Sequence, residues 1–489
     1  MKILLISPSN CDLVHAVSVP LGLVSIGTYL KKANHEVKIL DLCISHQSVR
    51  KVLEEFEPDL CGVSVRSTKQ VSFALNISKT IHKKGIPVIW GGPFCNYAPI
   101  EHYFDTGVID IISFSEGEMT WLELADVFEN CINLEKVKGI AFLKDGEVIQ
   151  TPEREFMDLN EILPADWSLV DIPKYFQYIY GANRLLYLYL SKGCPGNCTF
   201  CYNNVFHRSC HRRKSLDIFI SELKELVEEY NLDGFYLADE MAFFKKTDLY
   251  DLCDALDNTG YNLLWGFQSR IGTLSKVDFQ RAYDSGCRWV DFGIESGSRR
   301  MLSLINKNFP FDKVETTFDW CKEIGIISMA NFIIGFPGES VDDLQETVNL
   351  AKRISVTQPT FFLYGYNYGS EIGKEIYRSG KYKLPKKLWE YSKIDLFYNR
   401  LPNFSEIPTW DKKVIQGYFL WQQLSLEEYS KESKRFELLY KHVKTVLNRI
   451  SYCGIPRIPE AIIKSFFPYV RFFFAAKFCK KTLKKYGLE

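Results

Sequence analysis

Residues 191–204 read SKGCPGNCTFCYNN, placing Cys194, Cys198 and Cys201 on one short stretch with the spacing C-x3-C-x2-C. Thiolates are strong ligands for zinc and for iron–sulfur clusters, and three thiols this close in sequence can share one centre. Both kinds of centre ordinarily take four ligands, so one place is left over. His207, Cys210 or His211 could fill it in a zinc site, which the spacing alone permits. The remaining cysteines of the 14, such as Cys11, Cys43, Cys61 and Cys95, are scattered through apolar stretches. That scatter is the pattern of free thiols in a reducing compartment rather than of a disulfide framework.

The segments flanking this loop must position it. From residue 184, strand-like and helix-like runs alternate: RLLYLYLS, LDIFISELKELVEEY, GFYLADE, DLYDLCDAL, LLWGFQSR, KVDFQRAYDSG, WVDFGIES, FDKVETTFDWCKEIG, ISMANFIIGFPGES, DDLQETVNLAKRI and TFFLYGYNYG. Six β–α repeats predict a partial (β/α)6 barrel of TIM type over 184–385. Chemistry in such barrels sits at the carboxyl ends of the strands. Here those ends carry the cysteine loop, Asp239-Glu240, Gln268-Ser269-Arg270, Glu295-Ser296-Gly297, Gly335 to Glu339 and Tyr366 to Glu371. All are polar or glycine-rich.

Residues 1–137 alternate in the same way, with short uniformly apolar strands (KILLIS, EVKILDL, LCGVSV, PVIWGG, DIISFS) joined by amphipathic helices. This predicts a parallel, doubly wound sheet of Rossmann-like or flavodoxin-like type. A ligand would lie beyond its strand ends, near Ser7, Ser64, Gly91-Gly92 and Glu116-Gly117, where small residues allow close backbone approach. The same glycines also suit ordinary turns. No G-x-G-x-x-G follows the first strand, which argues against a nicotinamide site. KGIAFLKDGEVIQ reads as a hairpin turning at Asp145-Gly146, the start of a hairpin and linker over 138–183.

The chain has 489 residues, enough for two or three domains, with 46% hydrophobic and 25% charged residues and a formal net charge of +0. A neutral chain offers no global field for nucleic acid. The N-terminus reads as a strand rather than a signal peptide, and no apolar run reaches the roughly 18 residues of a membrane span, so a cytoplasmic address is expected. Residues 386–489 read as a helical, aromatic C-terminal domain. Its last part, 441–489, carries eleven lysines and arginines against two glutamates. A basic helix with an aromatic face can lie on an anionic membrane, or it can pack its aromatics inward with lysines in water.

Taken together, these stretches resemble the radical S-adenosylmethionine (SAM) superfamily, and within it the members with an N-terminal cobalamin-binding-type domain. The resemblance covers roughly residues 1–385. Its most specific element is C-x3-C-x-aromatic-C, here Cys194, Cys198, Phe200 and Cys201. It implies a 4Fe–4S cluster held by three thiolates, with the fourth iron left for the amino and carboxylate groups of SAM. It further implies SAM contacts from Glu295 and Ser296 (GIESGS), Arg270 (FQSR), Gly335 and Gly338 (FIIGFPGES), and Asp239 or Glu240, where ADE replaces the usual Gly-Gly-Glu. Two plainer readings compete: Glu295 could pair with Arg270 as a rim salt bridge, and Asp239-Glu240 could be an acidic pair at a helix N-terminus.

PLGLVSIGTYLKKANHEVKILDL, WGG and SEGE are similar to the cobalamin-type domain, implicating Ser7, Ser64, Gly91, Gly92, Glu116 and Gly117. The D-x-H-x-x-G motif is missing, and His15 is the nearest histidine. The resemblance therefore implies cobalamin held without a histidine ligand. The implied reaction is reductive cleavage of SAM to a 5′-deoxyadenosyl radical, coupled to C-methylation of an unactivated carbon. A small-molecule substrate, lipid or natural-product intermediate, and an electron donor such as flavodoxin or ferredoxin are implied as partners. The alternatives are a cobalamin-independent radical cyclase, oxidase or rearrangement enzyme and, from another class, a zinc-stabilised binding protein.

Overall fold

A computed structural model describes residues 1–8, 17–45, 47–179, 181–393, 403–425 and 480–488. The first sheet holds β1 (Lys2–Ser7), β2 (Glu36–Asp41), β3 (Leu60–Ser64), β4 (Val88–Gly91), β5 (Ile111–Ser113), β6 (Ile140–Lys144) and β7 (Glu147–Gln150) in the order β2-β1-β3-β4-β5-β6-β7. The first five strands are parallel. β1 is buried on both faces because its KILLIS run has apolar residues at both parities. The strand order reverses between β1 and β3, the switch point at which open α/β sheets bind ligands. The hairpin β6–β7 was expected outside this domain, with the linker. Instead β6 pairs antiparallel with β5, and its buried Ile140, Ala141 and Phe142 extend the sheet's core. The first sheet thus runs on to Gln150.

The second sheet holds β8 (Gln177–Ile179), β9 (Ala182–Leu188), β12 (Gly234–Leu237), β13 (Leu264–Ser269), β14 (Cys287–Glu295), β15 (Ile327–Ile334) and β16 (Gln358–Leu363). Its order is β16-β15-β14-β13-β12-β9-β8, with six parallel strands and an antiparallel β8. The short pair β10 (Ser191–Lys192) and β11 (Arg212–Arg213) brackets the cysteine loop. Helices join successive barrel strands, and their ends are set by local chemistry. The helix Leu216–Tyr230 starts where the Ser215 side chain accepts from Ile218 N, and it stops at Asn231 in the left-handed region.

Strand alternation gives the barrel two faces. Phe235, Leu237, Trp265, Phe267, Val290, Phe292, Ala330, Phe332 and Phe361 pack outward against the helices. Their neighbours face the lumen, where Ala182, Leu185, Tyr236 and Trp289 form a small separate floor cluster. Two shared cores join the domains. One holds Val19 and Val24 with Trp167, Ile172, Tyr175 and the outer face of the barrel. The other holds Phe94 and Tyr103 with Phe336, Tyr364, Tyr366, Tyr391 and Phe404.

The described part of the C-terminal region closes one edge of the barrel. The helix Thr409–Ser425 runs beside β16, where Gln416 Nε2 donates to Phe361 O (2.8 Å) and Phe419 stacks on Phe361 at 4.3 Å. An otherwise open strand edge is thereby covered. The final helix, Lys480–Lys485, docks on protein: Lys485 pairs with Asp411 (2.9 Å), the Tyr486 hydroxyl donates to Asp411 (3.1 Å) and Lys352 donates to Gly487 O (2.5 Å). Residues 426–479, most of the basic stretch, lie outside the described residues, as does His15. Among the described residues no helix is long and apolar enough to cross a membrane.

The barrel floor gives a stability prediction. A Cβ on Gly266 would stand 2.2 Å from the indole nitrogen of fully buried Trp289. Gly266→Ala should cost about 1–3 kcal/mol, as overpacking does. Urea unfolding should show a lower midpoint at unchanged slope; an unchanged midpoint would mean that the indole moves freely aside.

Candidate cluster site and interdomain cavity

The cysteine loop is held at both flanks by one carboxylate. Glu240, just past β12, accepts from Gly193 N (2.9 Å), from the Tyr202 hydroxyl and from His207 Nε2 (3.3 Å). Gly193 immediately precedes Cys194, and Tyr202 immediately follows Cys201. Burial opposes ionisation of Glu240, but these hydrogen bonds and the attraction of His207 outweigh it and hold the carboxyl down at about 2. Gly193 must be glycine: its φ is +83°, and a Cβ there would stand 1.9 Å from Cys210 O. Amides pin the rest of the loop. Asn203 Oδ1 accepts from Cys194 N (3.0 Å) while its Nδ2 donates to Cys194 O (2.6 Å), Asn204 reaches Cys198 O (2.9 Å) and Asn306 reaches Asn197 O (2.8 Å).

All three cysteines are free. Burial pushes the Cys198 thiol up and that of Cys201 up to about 12, while Lys307 acts on both, and Arg270 on Cys198, in the opposite direction. Among the described residues no three His, Cys, Asp or Glu side chains converge on a single metal-ion position. His207 is engaged with Glu240, His211 Nε2 lies 3.1 Å from Met241 O, and Cys210 is exposed. Of the residues considered as a fourth zinc ligand, His207 and His211 thus each have one ring nitrogen engaged, while His207 Nδ1 is buried with no hydrogen-bond partner. Three thiols on a pinned loop with two cations beside them suit a larger, net-negative centre such as a 4Fe–4S cluster.

Around the loop, the rim residues fall into two groups. Phe200 meets Phe336, which stands next to Gly335 and two residues before Gly338, edge-on at 5.3 Å. Arg270 donates to Asn308 O and lies over Gly196. Glu295 sits at the end of β14 with φ +64°, rare for a residue with a side chain and a mark of functional strain. Its ion partner is Lys307 (2.9 Å), and no salt bridge joins it to Arg270. Burial alone would lower the Lys307 pKa, yet Glu295 raises it. Two candidates are occupied elsewhere. Asp239 is 1% exposed and accepts from Leu190 N (2.9 Å), Ser191 N (2.6 Å) and Ser191 Oγ (2.5 Å), so it fixes the turn after β9; burial pushes its carboxyl up to about 7. Ser296 is fully buried against Thr347 Oγ1 (3.0 Å). Neither Asp239 nor Glu240 begins a helix, since the next one starts at Lys246.

Between the two domains lies a cavity of about 370 Å³. Ser7, Ser64, Gly91, Gly92, Glu116 and Gly117 all line it, as does Arg66. Its opposite wall is barrel: Tyr187, Tyr189, Lys192, His207 and Glu240. The small residues present a bare backbone face, as a broad planar ligand requires. Among the described lining residues the one histidine, His207, belongs to the barrel and is paired with Glu240. Glu116 is not free for a ligand. Arg212 grips it through both nitrogens (2.6 and 3.0 Å), and Lys192 stands 3.5 Å from both Glu116 and Glu118. Ser25 donates to Glu118 (2.8 Å) and Ser115 to Phe206 O (3.0 Å). The Ser25 bond braces the S-E-G-E turn within the first domain, and the contacts to Arg212, Lys192 and Phe206 latch that turn to the barrel. Burial raises the Glu116 pKa, but Lys192 and Arg212 reverse this and lower it.

Sequence reasoning placed Glu339 on the rim but missed its partner Lys412, along with Lys192, Lys307 and Arg212. Glu339 is fully buried after β15, and burial pushes its carboxyl up to about 7. Burial also brings Lys412 of the C-terminal helix down to about 8, against the pull of Glu339. Lys192 could have been noticed from its place two residues before Cys194; nothing in the local sequence marks the other three.

Comparison with known proteins agrees with this geometry. The radical SAM superfamily model matches residues 188–351 and the B12 binding domain model matches residues 12–125. The chain is 27% identical over 373 residues to the uncharacterized methyltransferase PH0819 of Pyrococcus horikoshii, covering 74% of this chain and 80% of that protein. It is 26% identical over 441 residues to the cytidylyl-2-hydroxyethylphosphonate methyltransferase of Streptomyces wedmorensis, covering 78% and 82%. The fold matches a solved structure of the radical SAM methyltransferase TsrM from Kitasatospora setae, with cobalamin and a [4Fe-4S] cluster bound. The TM-score is 0.67 at 18% identity, covering 83% of this chain and 85% of that one.

The clamp can be tested through acid stability. Glu240 is held at about 2 against an ordinary 4.5. Its contribution to stability is therefore present above pH 4.5 and lost as pH falls toward 2. Glu240→Gln should remove that difference, so wild type and variant should converge in urea stability at the acid end and separate above pH 4.5. The reconstituted variant should also lose iron to a chelator several-fold faster, as expected when charge-assisted hydrogen bonds are weakened. Equal iron loss would show that the loop does not need this carboxylate.

Proposed function

Because this chain belongs to the radical SAM superfamily and carries an N-terminal B12 binding domain, we propose that it methylates an unactivated carbon of a small molecule. Its cofactors are a 4Fe–4S cluster, S-adenosylmethionine and cobalamin. When bound, the cluster supplies the electron that cleaves SAM, and cobalamin supplies the methyl group. The observation that carries this reading is the position of Glu240. It lines the cavity at the carboxyl ends of the first sheet and also holds the residue before Cys194. The B12-type crevice and the cysteine loop therefore meet across one side chain.

The residue roles follow from this arrangement. Cys194, Cys198 and Cys201 hold three irons. Phe200, Arg270, Gly335, Gly338 and the Glu295–Lys307 pair surround the place left for SAM. Ser7, Ser64, Gly91, Gly92 and Gly117 form the bare face for cobalamin, and Glu116, latched by Arg212, fixes the distance of that face from the barrel. The two shared cores and the latch hold the two domains together around the junction, where radical chemistry requires water to be kept out once the ligands are bound. A cytoplasmic flavodoxin or ferredoxin fits as electron donor. A lipid substrate and contact with an anionic membrane draw support from the basic composition of 441–489 alone.

Anaerobic protein reconstituted with iron, sulfide and hydroxocobalamin should retain stoichiometric cobalt. With SAM and a strong reductant it should form both 5′-deoxyadenosine and S-adenosylhomocysteine. 5′-Deoxyadenosine without homocysteine product or bound cobalt would replace methyl transfer with a cobalamin-independent radical reaction.

A further inference from the structure

The segment after the helix Arg299–Leu304 runs back along the cysteine loop. Thr199 N donates to Ile305 O (3.0 Å), and Asn306 Nδ2 donates to Asn197 O (2.8 Å). These two bonds stand on either side of Cys198, and Lys307 comes next in the chain. Its side chain is 13% exposed, and Glu295 Oε1 lies 2.9 Å from its ammonium. A buried ammonium stays charged only where nearby negative charge offsets the loss of hydration. Glu295 and the thiols of the loop supply that charge.

β14 is shaped to hold this pair. Its register against β15 slips between Gly293 and Glu295, and Ser296 N donates to Ile294 O (2.8 Å). A bulge of this kind re-aims the side chains beside it. With φ at +64°, Glu295 folds back over Gly293, where a Cβ would stand 2.6 Å from Glu295 Oε1 and 3.0 Å from Lys307 Nζ. The glycine leaves the room that the ion pair fills. Burial pushes the Cys198 and Cys201 thiols up, and Lys307 acts on both in the opposite direction. At Cys198, Glu295 works against Lys307 and more weakly. Arg270 also acts on Cys198, but its guanidinium is only half-buried, so water and salt screen it more.

We propose that Lys307 sets the reduction potential of the 4Fe–4S cluster and that Glu295 moderates it, so that one buried ion pair tunes how readily the centre on the cysteine loop accepts an electron. The inference rests on the cluster reading above and adds to it a cation from outside the cysteine motif. In the step concerned, one electron passes from an external donor to the cluster, and no bond forms or breaks. The added negative charge lies beside the Lys307 ammonium, which stabilises the reduced cluster more than the oxidised one. Glu295 does the reverse.

A redox titration followed by electron paramagnetic resonance tests this on full-length protein, reconstituted anaerobically with iron and sulfide and kept free of SAM. Lys307→Met keeps the side-chain length and removes the charge. At the potential that half-reduces the wild-type cluster, its reduced-to-oxidised ratio should fall about ten-fold, the scale of one buried charge. Glu295→Gln should raise that ratio several-fold, and Lys307→Arg, which keeps the charge, should leave it within about two-fold of wild type. A packing defect gives no reason for opposite signs, so opposite shifts are the signature of charge. Should Lys307→Met retain no iron, the other two variants decide the matter by the same expectations. A ratio unmoved by Glu295→Gln, a fall in that variant, or a wild-type ratio in Lys307→Met would overturn the assignment. Iron content and absorption of the wild type report separately on the cluster: a wild type that holds none removes both readings, whereas a cluster indifferent to Lys307 removes only this one.

Discussion

The carboxylate of Glu240 is the contact on which the site depends. It receives Gly193 N, the Tyr202 hydroxyl and His207, and so fixes the two ends of a loop that has no secondary structure of its own between them. On the proposed reading, a loop carrying three metal ligands must be preorganised, because thiols left free to spread would not present three corners of one cube. The strand end that supplies Glu240 belongs to the barrel, and the His207 it holds faces the other domain. A single buried charge thus couples loop shape to domain placement.

Domain placement has its own ionic device. Arg212 and Lys192 meet Glu116 and Glu118 across the junction, all of them largely buried. Buried ion pairs add little net stability over apolar packing, because desolvation offsets attraction, but removing one partner is strongly destabilising. Their use here is registry: shared apolar cores hold the domains together, and the charges specify one relative position. That position sets the width of the cavity whose far wall carries Ser7, Ser64, Gly91, Gly92 and Gly117.

Much of this was legible in the sequence because its causes are local. Strands buried on both faces read as unbroken apolar runs, and barrel helices read from their periodicity, as in Leu216–Tyr230 between Ser215 and Asn231. The cysteines read from spacing and the glycine-rich strand ends from their composition, while Phe200 was implied by the family resemblance. What failed to read was pairing at long range. Glu295 found Lys307 rather than Arg270 because the turn after the following helix returns to the rim. Asp239 turned to the backbone of Leu190 and Ser191, 49 and 48 positions away, and no local pattern records such a bond. The hairpin at Asp145-Gly146 was visible, but its membership of the first sheet depends on β5, which no turn motif encodes.

The central claim is that the Glu240-clamped loop holds a cluster through three cysteines and leaves one iron open to S-adenosylmethionine. The most direct measurement is electron–nuclear double resonance on the reduced protein, using SAM labelled with 15N in the amino group and 17O in the carboxylate. The account predicts hyperfine coupling from both labels to the cluster spin, lost in Cys198→Ala. A cluster spectrum unchanged by labelled SAM, or a reconstituted protein that is colourless and iron-free, would contradict it.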